Sequence, residues 1–495
     1  MSGVSGQVPQ ALPVLGAAEV ARAGRALPVP FELHLDNRDA GAAGALEADV
    51  RLRVERMLRY LPGRRLVAQA RLGDRTVLLK LFVGRRARHY CLRERRGVLV
   101  LAAAGTATPQ LLATLSDGAC HALLFTYLEG VRALTDAPAD ICAAARQLAR
   151  LHRAGARQRD LHLDNFLCAV DGTVHLIDGD GVRAGAGRGL SVAASLRDLG
   201  VLCAQCPPRF DDHLEQILRC YRDERGLFPV APQALLQATR RQRRLRVRHY
   251  LRKAQRDCTE YHCEQDLRHF FVCMRECLDP ALHRFAADPE AALASAEVVK
   301  AGNSATVLRA AFGTRRYVVK RYNVKGPVHR LRRALKPRSR FRLAWCNGQR
   351  LHFLGIATAR PVALLERRFG PLRGVAYLVM EDRGDLDLAG AVAAAAPAVV
   401  ARLMTSCAAL FGDLARAGLR HGDGKASNFL VDGEQVLCID LDAMAEDSGR
   451  GLMRDLQRFL ANWPADGSTR AGFDAALREA GLPLPGPGVP AAARR

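Results

Sequence analysis

Two short segments of this chain carry the same arrangement of carboxylate and amide side chains. In each segment an Asp is followed five residues later by an Asn, and a second Asp follows that Asn by 13 residues in the first copy and 12 in the second. The first copy consists of Asp160, Asn165 and Asp178, and the second consists of Asp423, Asn428 and Asp440. A carboxylate can accept a proton from a hydroxyl group, and Asn and Asp oxygens are suitable ligands for Mg²⁺. The repeat therefore predicts two sites that combine a proton acceptor with a metal ion.

This spacing is typical of the catalytic loop and the metal-binding Asp of protein kinases. In that interpretation Asp160 and Asp423 orient the hydroxyl group of the substrate, and the Asn and Asp that follow each of them hold Mg²⁺. Lys425 lies two residues after Asp423 and is placed to contact the transferring phosphate, whereas His162 takes that position in the first copy. Because a neutral His is a poorer phosphate ligand than Lys, we expect the two sites to differ in strength.

Lysine is rare in this chain, with seven lysines among 74 basic residues, so each one invites a specific explanation. Lys80 and Lys320 both end apolar segments rich in β-branched and aliphatic residues, which predicts buried strands that present the lysine to a nucleotide. A compact ammonium group suits a phosphate contact there, and a planar guanidinium is not equivalent. Glu94 lies on the predicted helix after the first strand and is placed to pair with Lys80, but the corresponding helix of the second copy offers Asn347.

Two glycines mark candidate phosphate-covering loops. Gly63 and Gly302 lie between predicted strands at the positions where such loops belong. Neither surrounding sequence matches the G-x-G-x-x-G pattern, so these loops are the weakest part of the predicted nucleotide sites.

The segment after each metal-binding Asp is short. Both copies lack an Ala-Pro-Glu motif and soon reach an Arg-Asp-Leu tripeptide, whose Asp is Asp198 in the first copy and Asp455 in the second. We expect these two carboxylates to support the catalytic loops from a helix. Gly422 stands where an Arg usually precedes the loop Asp, which disfavours activation by phosphorylation of this segment. Since a short segment offers little platform for a peptide, small-molecule or glycolipid acceptors are favoured.

The chain is strongly basic, with a formal net charge of +24 and a pI near 10.1. Such a balance predicts an anionic partner, either a phosphorylated glycolipid or an acidic membrane surface. Nucleic acid is disfavoured because no aromatic-rich RNA-binding or helix-turn-helix signature accompanies the charge. The densest basic runs span 240–253 and 325–342, and each is either a lipid-binding face or a solvated helix face.

The remaining composition predicts a cytoplasmic protein. The N-terminus lacks the pattern of a secretory signal, and the 14 cysteines are scattered like reduced core thiols. A denser group is formed by Cys258, His262, Cys263, Cys273 and Cys277, but their spacing does not fit a standard zinc site. The apolar window Leu388 to Met404 is interrupted by Pro397 and Arg402, which favours a buried helix over a membrane span.

The pattern of predicted elements gives an α+β fold with two consecutive domains, each a small β-rich lobe followed by a helical lobe. We predict a flexible segment over 1–45, a first domain over 46–255, a second domain over 256–485 and a tail over 486–495. The repeat is one whole domain long, so it indicates duplication rather than a solenoid.

The second domain resembles the bacterial lipopolysaccharide kinase family (Kdo/WaaP and InaA-like proteins). The resemblance is carried by five segments, Tyr317–Asn323, Leu354–Val362, Tyr377–Glu381, His421–Val431 and Ile439–Asp442. The first domain is similar in a looser way, through Leu151-His152, Gln158–Leu167 and Leu176–Asp178. The chain as a whole is therefore similar to the long, two-domain members of that family.

This resemblance implies tandem protein-kinase-like domains that use ATP and Mg²⁺. It also implies phosphorylation of an inner-core sugar of lipopolysaccharide, or of another glycolipid, by a protein that is peripheral to the cytoplasmic face of the inner membrane. Other core-assembly enzymes are then expected partners. Two alternatives stay open at this point: a pseudokinase scaffold in which one or both domains are inactive, and a protein kinase, which the short segments disfavour.

Overall fold

A computed structural model describes residues 12–23, 26–36, 49–118, 120–185, 188–323, 339–370, 372–447 and 449–484. The chain divides into two compact units, one formed by Met1–Gln205 with Asp212–Gln242 and the other by Cys206–Asp211 with Arg243–Arg495. The principal division thus falls at Gln242, earlier than the predicted boundary at 255. The reason is that one continuous helix, Pro232–Lys253, crosses the division, so no linker composition marks it.

The first unit contains a seven-stranded sheet with the spatial order β1-β2-β3-β4-β5-β7-β6. Its strands are β1 (Val14–Gly16), β2 (Phe31–Asp36), β3 (Asp49–Leu61), β4 (Arg65–Leu72), β5 (Arg75–Phe82), β6 (Leu111–Asp117) and β7 (Cys120–Thr126). Neighbouring strands pair antiparallel except for β1 and β2, which pair in parallel. Lys80 lies near the end of β5, opposite Val67 on one side and Leu123 on the other.

The prediction of a flexible segment over 1–45 is wrong for β2. This strand pairs with β3 in register Phe31 to Val54, and Phe31, Leu33 and Leu35 are buried. The alternation of apolar and polar residues in Phe-Glu-Leu-His-Leu is the signal of a half-buried strand. The Gly- and Ala-rich residues on either side of this short strand obscured that signal.

The first unit has helices both between strands of its sheet and after the sheet. Those between strands are α1 (Ala17–Ala23) and α2 (Ala87–Ala103). Those after the sheet are α3 (Pro138–Arg153), α4 (Val192–Cys203), α5 (Leu214–Arg225) and α6 (Pro232–Lys253), the last of which continues into the second unit. The short strand β8 (Arg132–Ala133) precedes α3. Between α3 and α4 lie the short strands β9 (Arg157–Gln158), β10 (Phe166–Cys168), β11 (Val174–Leu176) and β12 (Val182–Arg183). Strands β10 and β11 form the hairpin that separates Asn165 from Asp178.

The second unit contains a seven-stranded sheet with the order β13-β14-β18-β19-β17-β16-β15. Its strands are β13 (Tyr261–Gln265), β14 (His269–Met274), β15 (Glu297–Lys300), β16 (Ala305–Phe312), β17 (Arg315–Tyr322), β18 (Pro361–Phe369) and β19 (Leu372–Glu381). Four short strands follow: β20 (Leu419–Arg420), β21 (Phe429–Asp432), β22 (Gln435–Cys438) and β23 (Ala445–Glu446). The helices are α7 (Pro280–Ala287), α8 (Pro289–Ala292), α9 (Arg340–Phe353), α10 (Leu388–Ala394), α11 (Pro397–Ala417), α12 (Gly451–Leu460) and α13 (Ser468–Glu479).

The two sheets share a five-stranded core with one topology. In the first unit the order is β3-β4-β5-β7-β6, and in the second it is β15-β16-β17-β19-β18. In each unit a helix connects the third of these five strands to the fourth in chain order: α2 connects β5 to β6, and α9 connects β17 to β18. The additional strands extend opposite ends of this core, since β2 pairs with β3 and β14 pairs with β18. The units therefore repeat the same arrangement around Lys80 and Lys320.

Helix α11 is long and apolar enough to cross a membrane by length and composition alone. Its side chains Leu403, Cys407, Phe411 and Leu414 are buried in the core of the second unit. The predicted single helix over Leu388 to Met404 is in fact two helices, because Pro397 begins α11 instead of continuing α10.

Two predicted segments lie largely or wholly outside the described residues. Of the basic run over 325–342, only residues 339–342 are described. The predicted tail over 486–495 is not described.

Candidate functional site

The catalytic loop of the second unit gathers the side chains that its sequence predicts. Asn428 Nδ2 donates hydrogen bonds to the main-chain oxygen of Asp423, at 2.8 Å, and to Asp423 Oδ2, at 3.0 Å. Lys425 Nζ lies 3.4 Å from Asp423 Oδ2. Arg458 Nη1, on α12, lies 3.0 Å from Asp423 Oδ1 and was not predicted to belong to this site. Asp423 therefore lies between two cationic side chains and Asn428.

A hairpin explains the spacing between the Asn and the second Asp in both copies. Strands β21 and β22 pair Phe429 with Cys438, and the next amide, Ile439 N, donates to Asn428 O at 3.0 Å. In the first unit β10 and β11 form the equivalent hairpin, and Ile177 N donates to Asn165 O at 3.0 Å. The first hairpin is one residue longer between its outermost pairs, which accounts for 13 residues in place of 12. Each hairpin thus brings the Asn next to the residue that precedes the second Asp.

Asp440 has an unusual backbone conformation. Its φ of 57° is the only positive φ of a non-glycine residue among the residues that the structure describes. A non-glycine residue in the left-handed region costs of order 1–3 kcal/mol and persists where the surrounding structure fixes it. Such strain is concentrated at functional sites, which supports the assignment of Asp440 to one.

Lys320 is paired with two carboxylates that follow the hairpin. Its Nζ lies 2.7 Å from Asp440 Oδ1 and 3.1 Å from Asp442 Oδ2. Asp442 also accepts hydrogen bonds from Tyr322 OH at 2.7 Å and from Arg340 Nη2 at 2.8 Å. Its carboxylate is almost fully buried, so all three donors are needed to satisfy it. Asp442 was missed by the sequence reasoning, although its place two residues after Asp440 was a visible signal.

The helix residue that faces this segment does not contact Lys320. Asn347 Nδ2, on α9, donates to Leu441 O at 3.0 Å and to Met444 O at 2.9 Å. The Asn that replaces the expected helix Glu therefore fixes the main chain around Asp442, and Asp442 supplies the missing carboxylate.

The charge state of Asp440 follows from its neighbours. Burial alone raises the pKa of this carboxyl group, but the Lys320 ammonium group, with Arg340 and His421 in smaller part, lowers it further than burial raises it. The net pKa of Asp440 is below its ordinary value, so the carboxylate is ionised at neutral pH and can act as a cation ligand.

Helix α12 supports the catalytic loop through Asp455. Its two carboxylate oxygens accept hydrogen bonds from Gly422 N at 3.1 and 2.9 Å. Gly422 has a φ of 84°, and a Cβ atom at this position would lie 2.4 Å from Ala443 O. The Arg that usually stands here cannot fit this backbone. Burial raises the pKa of Asp455 above its ordinary value.

Residues 289–473 match the model of the lipopolysaccharide kinase (Kdo/WaaP) family. The family resemblance inferred from the sequence is thereby confirmed for this segment, which includes Lys320, the catalytic loop, Asp440, Asp442 and Asp455. The match covers less than half of the chain and none of the first unit. A search of curated proteins found no match. A lipopolysaccharide kinase family implies that phosphoryl transfer is the chemistry of the matched segment.

The first unit lies outside the match to the lipopolysaccharide kinase family, but it places its predicted residues together too. Lys80 Nζ forms an ion pair with the fully buried Glu94 of α2 and donates to Ile177 O at 3.1 Å. Asn165 Nδ2 donates to Asp160 O at 2.8 Å, as its counterpart does in the second unit. His162 Nε2 lies 3.2 Å from Asp160 Oδ1, and both side chains are more than half exposed. The lysine of this unit is thus held by the helix carboxylate.

The carboxylates around Asp178 are held differently from those around Asp440. The Lys80 and Arg65 charges outweigh burial and leave the pKa of Asp178 below its ordinary value. Asp180, the counterpart of Asp442, pairs with Arg93 and with Arg64, the latter at 3.1 Å, and not with Lys80. Asp178 itself lacks the positive φ that Asp440 has.

A close backbone approach fixes this segment against α2. A Cβ atom on Gly97 would lie 1.9 Å from Gly179 O, and one on Gly179 would lie 2.5 Å from Glu94 O. Glycine is therefore required at both positions, and α2 lies directly against the residues that follow Asp178.

Asp198 supports the first catalytic loop as Asp455 supports the second. It forms a bidentate ion pair with Arg157, a residue just before the loop, in which Arg157 Nε and Nη2 each lie 2.7 Å from a carboxylate oxygen. His152 Nε2 lies 3.7 Å from the same carboxylate. Burial raises the pKa of Asp198, but His152 and Arg157 lower it more, and the net pKa is below its ordinary value.

The two predicted glycine loops occupy turns. Gly63 connects β3 to β4 with a φ of 63°, and a Cβ atom on Gly84 would lie 2.6 Å from its main-chain oxygen. Gly302 connects β15 to β16, and its main-chain oxygen accepts a hydrogen bond from Asn323 Nδ2 at 3.0 Å. A phosphate contact by either loop stays a prediction.

The donor atoms of each unit fit Mg²⁺. Asn428 uses its amide nitrogen to bind Asp423, which leaves Oδ1 as the atom that can face a cation, and Asp440 adds an ionised carboxylate. Hard oxygen donors of this kind suit Mg²⁺ when it also keeps water and phosphate ligands. Within the described residues no group of three or more His, Cys, Asp or Glu side chains forms a metal site on its own.

Proposed function

We propose that this protein is an ATP-dependent phosphotransferase that phosphorylates a sugar hydroxyl of the lipopolysaccharide inner core. The observation that carries the proposal is the grouping of Asp423, Asn428, Lys425 and the Lys320–Asp440 pair within the segment that matches a lipopolysaccharide kinase family. This set combines a hydroxyl-orienting carboxylate, phosphate-binding cations and metal ligands, which are the parts that phosphoryl transfer requires.

Each residue of the second unit has a defined task in this mechanism. Asp423 accepts the proton of the attacking sugar hydroxyl, and Lys425 neutralises charge on the transferring phosphate. Lys320 holds the nucleotide phosphates, and Asn428 and Asp440 hold Mg²⁺. When bound, Mg²⁺ neutralises charge on the phosphate oxygens. Because Asp423 is paired with Lys425 and Arg458, the acceptor hydroxyl approaches a carboxylate whose position two cations already fix.

Asp442 is a positioning residue in this proposal. It fixes Lys320 through a 3.1 Å ion pair, while Tyr322 and Arg340 fix Asp442 itself. The network replaces the lysine–glutamate pair that the first unit forms between Lys80 and Glu94. The absence of Glu at position 347 is then no obstacle to catalysis.

The first unit is proposed to be a second protein-kinase-like domain. Support comes from the shared strand order, the equivalent place of Lys80 between two neighbouring strands, and the matching hydrogen bond between Ile177 and Asn165. ATP and Mg²⁺ are its proposed ligands too.

A second candidate function concerns this first unit alone. The ordinary backbone conformation of Asp178, the engagement of Asp180 by Arg64 and Arg93, and His162 in place of a lysine favour a nucleotide-binding domain with weak or no transfer activity. In that case the first unit regulates the second, or provides a scaffold for other enzymes of core assembly.

The site of action is proposed to be the cytoplasmic face of the inner membrane, with the protein attached peripherally. The net charge of +24 supports this, since an anionic surface attracts such a protein. The acceptor, which carries phosphate groups itself, is attracted by the same charge.

The deciding experiment measures transfer of labelled phosphate from ATP to purified, underphosphorylated core lipopolysaccharide. We expect the parent protein to transfer phosphate, Asp423→Asn to abolish transfer, and Asp160→Asn to reduce it much less. Equal loss in both variants would show that both units turn over. No transfer by the parent protein, with ATP binding intact, would refute the kinase proposal and favour the scaffold.

A further inference from the structure

A cavity of about 730 Å³ lies in the second unit on the side of α9 that carries Arg342, Cys346 and Arg350. Its wall also includes the end of α6, the beginning of β19 and the residues Met444, Ala445 and Glu446. None of the predicted catalytic residues lines it. The cavity is thus a feature separate from the nucleotide site.

The lining is strongly cationic. Four of the lining side chains are guanidinium groups and one is a carboxylate, that of Glu446; the four are Arg248, Arg342, Arg350 and Arg373. Guanidinium groups that converge on one space repel one another unless anions separate them. Arginine is also the side chain best suited to bind phosphate through two parallel hydrogen bonds.

The carboxylate behind the wall offsets only part of this charge. Glu366 is fully buried and lies 2.9 Å from Arg342, 3.1 Å from Arg368 and 3.6 Å from Arg373. One carboxylate thus serves three guanidinium groups. Within the described part of the chain, Nη1 of Arg373 is buried and has no hydrogen-bond partner. The hydrogen bonds from Arg342 and Arg368 end on Glu366 Oε2, and Oε1 has no hydrogen-bond partner among the described residues, so the wall holds a guanidinium donor that Glu366 does not engage.

The cavity is in contact with the catalytic segment. Asn347 lines it and donates to Leu441 O and Met444 O, at 3.0 and 2.9 Å, in the segment that follows Asp440. A ligand in the cavity would therefore lie against the same helix and segment that position Asp442 and Lys320.

We propose that this cavity binds a phosphate monoester. Binding of the anion requires only the arginines and does not depend on the proposed phosphotransferase reaction. The further role of holding a phosphate that the acceptor already carries rests on the proposed function. The volume accommodates a phosphorylated sugar or headgroup, and the four arginines supply the charge.

Alkylation of Cys346, which lines the cavity and is partly buried, provides a local readout. The full-length protein is treated with iodoacetamide without ATP or Mg²⁺, in potassium phosphate or in potassium chloride of equal ionic strength, and each cysteine is followed by mass spectrometry. We expect phosphate to protect Cys346 and not Cys263, a partly buried cysteine outside the cavity lining.

Two arginines that do not pair with Glu366 are suitable for substitution. Arg248→Gln with Arg350→Gln is expected to raise the phosphate concentration that halves the alkylation rate by about tenfold or more, since each lost charged hydrogen bond weakens binding substantially. Arg248 is exposed, so Arg248→Gln alone keeps the test valid if the double variant does not fold. The matched control is Arg284→Gln with Arg478→Gln, two exposed arginines outside the cavity that remove the same charge.

Two further probes distinguish the source of the phosphate. Glucose 6-phosphate represents a phosphorylated sugar, and vesicles of phosphatidic acid in phosphatidylcholine represent a lipid headgroup. Protection of Cys346 by either probe, reduced in the Arg248 and Arg350 variant, supports the proposal and assigns the source. Absence of protection by phosphate and both probes, or equal protection in the parent and the variant, would overturn it. Protection without any transfer to lipopolysaccharide would refute the proposed function and leave the anion site intact.

Discussion

Two different residues hold the lysines that we propose bind nucleotide. In the first unit Glu94 of α2 pairs with Lys80. In the second unit Asp442, which follows Asp440 by two residues, pairs with Lys320. A carboxylate near the lysine is what the chemistry requires, because an unpaired buried ammonium group is costly. The chain position of that carboxylate is free to differ.

Asp442→Asn tests whether Asp442 holds Lys320 as Glu94 holds Lys80. The variant keeps the shape of the side chain but loses the ion pair with Lys320 and weakens the hydrogen bonds from Tyr322 and Arg340. We expect kcat/KM for ATP to fall by about ten- to hundredfold, because hydrogen bonds to charged groups are worth about 1.5–3 kcal/mol. The KM for ATP should rise, as Lys320 is no longer held for the nucleotide.

A control separates positioning from folding. Glu434→Gln removes an exposed carboxylate that pairs with Arg402, and it should leave both constants unchanged. If Asp442→Asn lowers only the amount of active protein and leaves the KM for ATP unchanged, the role of Asp442 is purely structural.

Sequence reasoning named the residues that the structure brings together around Asp423, but not Arg458, and it missed Asp442 beside Lys320. The catalytic loop is readable because its residues are close together in the chain, and one hairpin then joins Asn428 to Ile439. The contacts of Asp442 span about 100 residues or more, to Tyr322 and Arg340, and depend on how α9 and β17 pack. No local pattern records such contacts, so the missing Glu at position 347 looked like a defect.

Helices α4 and α12 do the same work in the two units with different contacts. Each presents the Asp of an Arg-Asp-Leu tripeptide to a catalytic loop, but Asp198 binds the Arg157 side chain and Asp455 binds the Gly422 main chain. Cationic partners leave the pKa of Asp198 below its ordinary value, whereas burial raises the pKa of Asp455. The two supports should therefore respond to pH in opposite directions.

Asp198→Asn tests this support in the first unit. Because the folded-state pKa of Asp198 is lowered, its contribution is complete above the ordinary carboxyl pKa of 3.8 and is lost as the pH falls through the folded value. We expect the variant to lose about 2 kcal/mol of unfolding free energy at neutral pH, since charged hydrogen bonds to Arg157 are removed. Denaturant unfolding should show that this difference shrinks below pH 3.8.

Asp223→Asn, at an exposed position on α5, is the matched control and should leave the free energy unchanged at any pH. A difference between the parent and Asp198→Asn that persists unchanged in acid would contradict the ionic origin of the support.

Gly97→Ala tests the contact of α2 with the segment after Asp178. Alanine normally stabilises a helix interior relative to glycine. Here the added Cβ meets Gly179 O at 1.9 Å, so we expect a loss of about 1–3 kcal/mol from overpacking. Nucleotide binding by the first unit should weaken too, because α2 carries Glu94. Gly390→Ala is the control at an exposed position in α10, where the nearest atom to the added Cβ is the side-chain atom Asp387 Oδ1 at 3.3 Å, so it should cost much less than Gly97→Ala. An equally small cost for Gly97→Ala would show that α2 can move away from Gly179.

Sequence patterns predicted the elements around Lys80 and Lys320 because their apolar strands are flanked by clear turns. They failed for β2, where a short alternation of apolar and polar residues lies among Gly- and Ala-rich residues. They also merged α10 and α11 into one helix, because they did not show that Pro397 begins a new one. Close approaches such as that of Gly97 to Gly179 cannot be predicted from the sequence, because the local sequence around a helical glycine does not show which distant residue packs against it.

At the scale of the whole molecule, the repeat of one topology was predictable from the repeated motifs. The boundary was not, because α6 continues through it with an unbroken helical pattern and a high charge. The same helix carries the basic run that the sequence offered as a membrane contact. Its arginines are not equivalent: Arg241 and Arg244 are exposed, whereas Arg243 is buried in an ion pair with Asp211 at 2.7 Å.

This distinction sharpens the test of membrane binding. Arg241→Glu with Arg244→Glu reverses two exposed charges, and each basic residue near an anionic surface contributes about 1 kcal/mol. We therefore expect at least about tenfold weaker binding to phosphatidylglycerol vesicles at low salt, measured by co-sedimentation. The difference should disappear at high salt, where exposed charges are screened.

The control for this test reverses the same charge elsewhere. Arg284→Glu with Arg478→Glu changes two exposed arginines on α7 and α13, so an effect of net charge alone would weaken binding in both pairs equally. A larger loss for the α6 pair would locate the contact on that helix. Equal losses would mean that the charge of +24 attracts the whole protein to the membrane without a defined face. No loss in either pair would leave the exposed arginines of α6 as an ordinary solvated face.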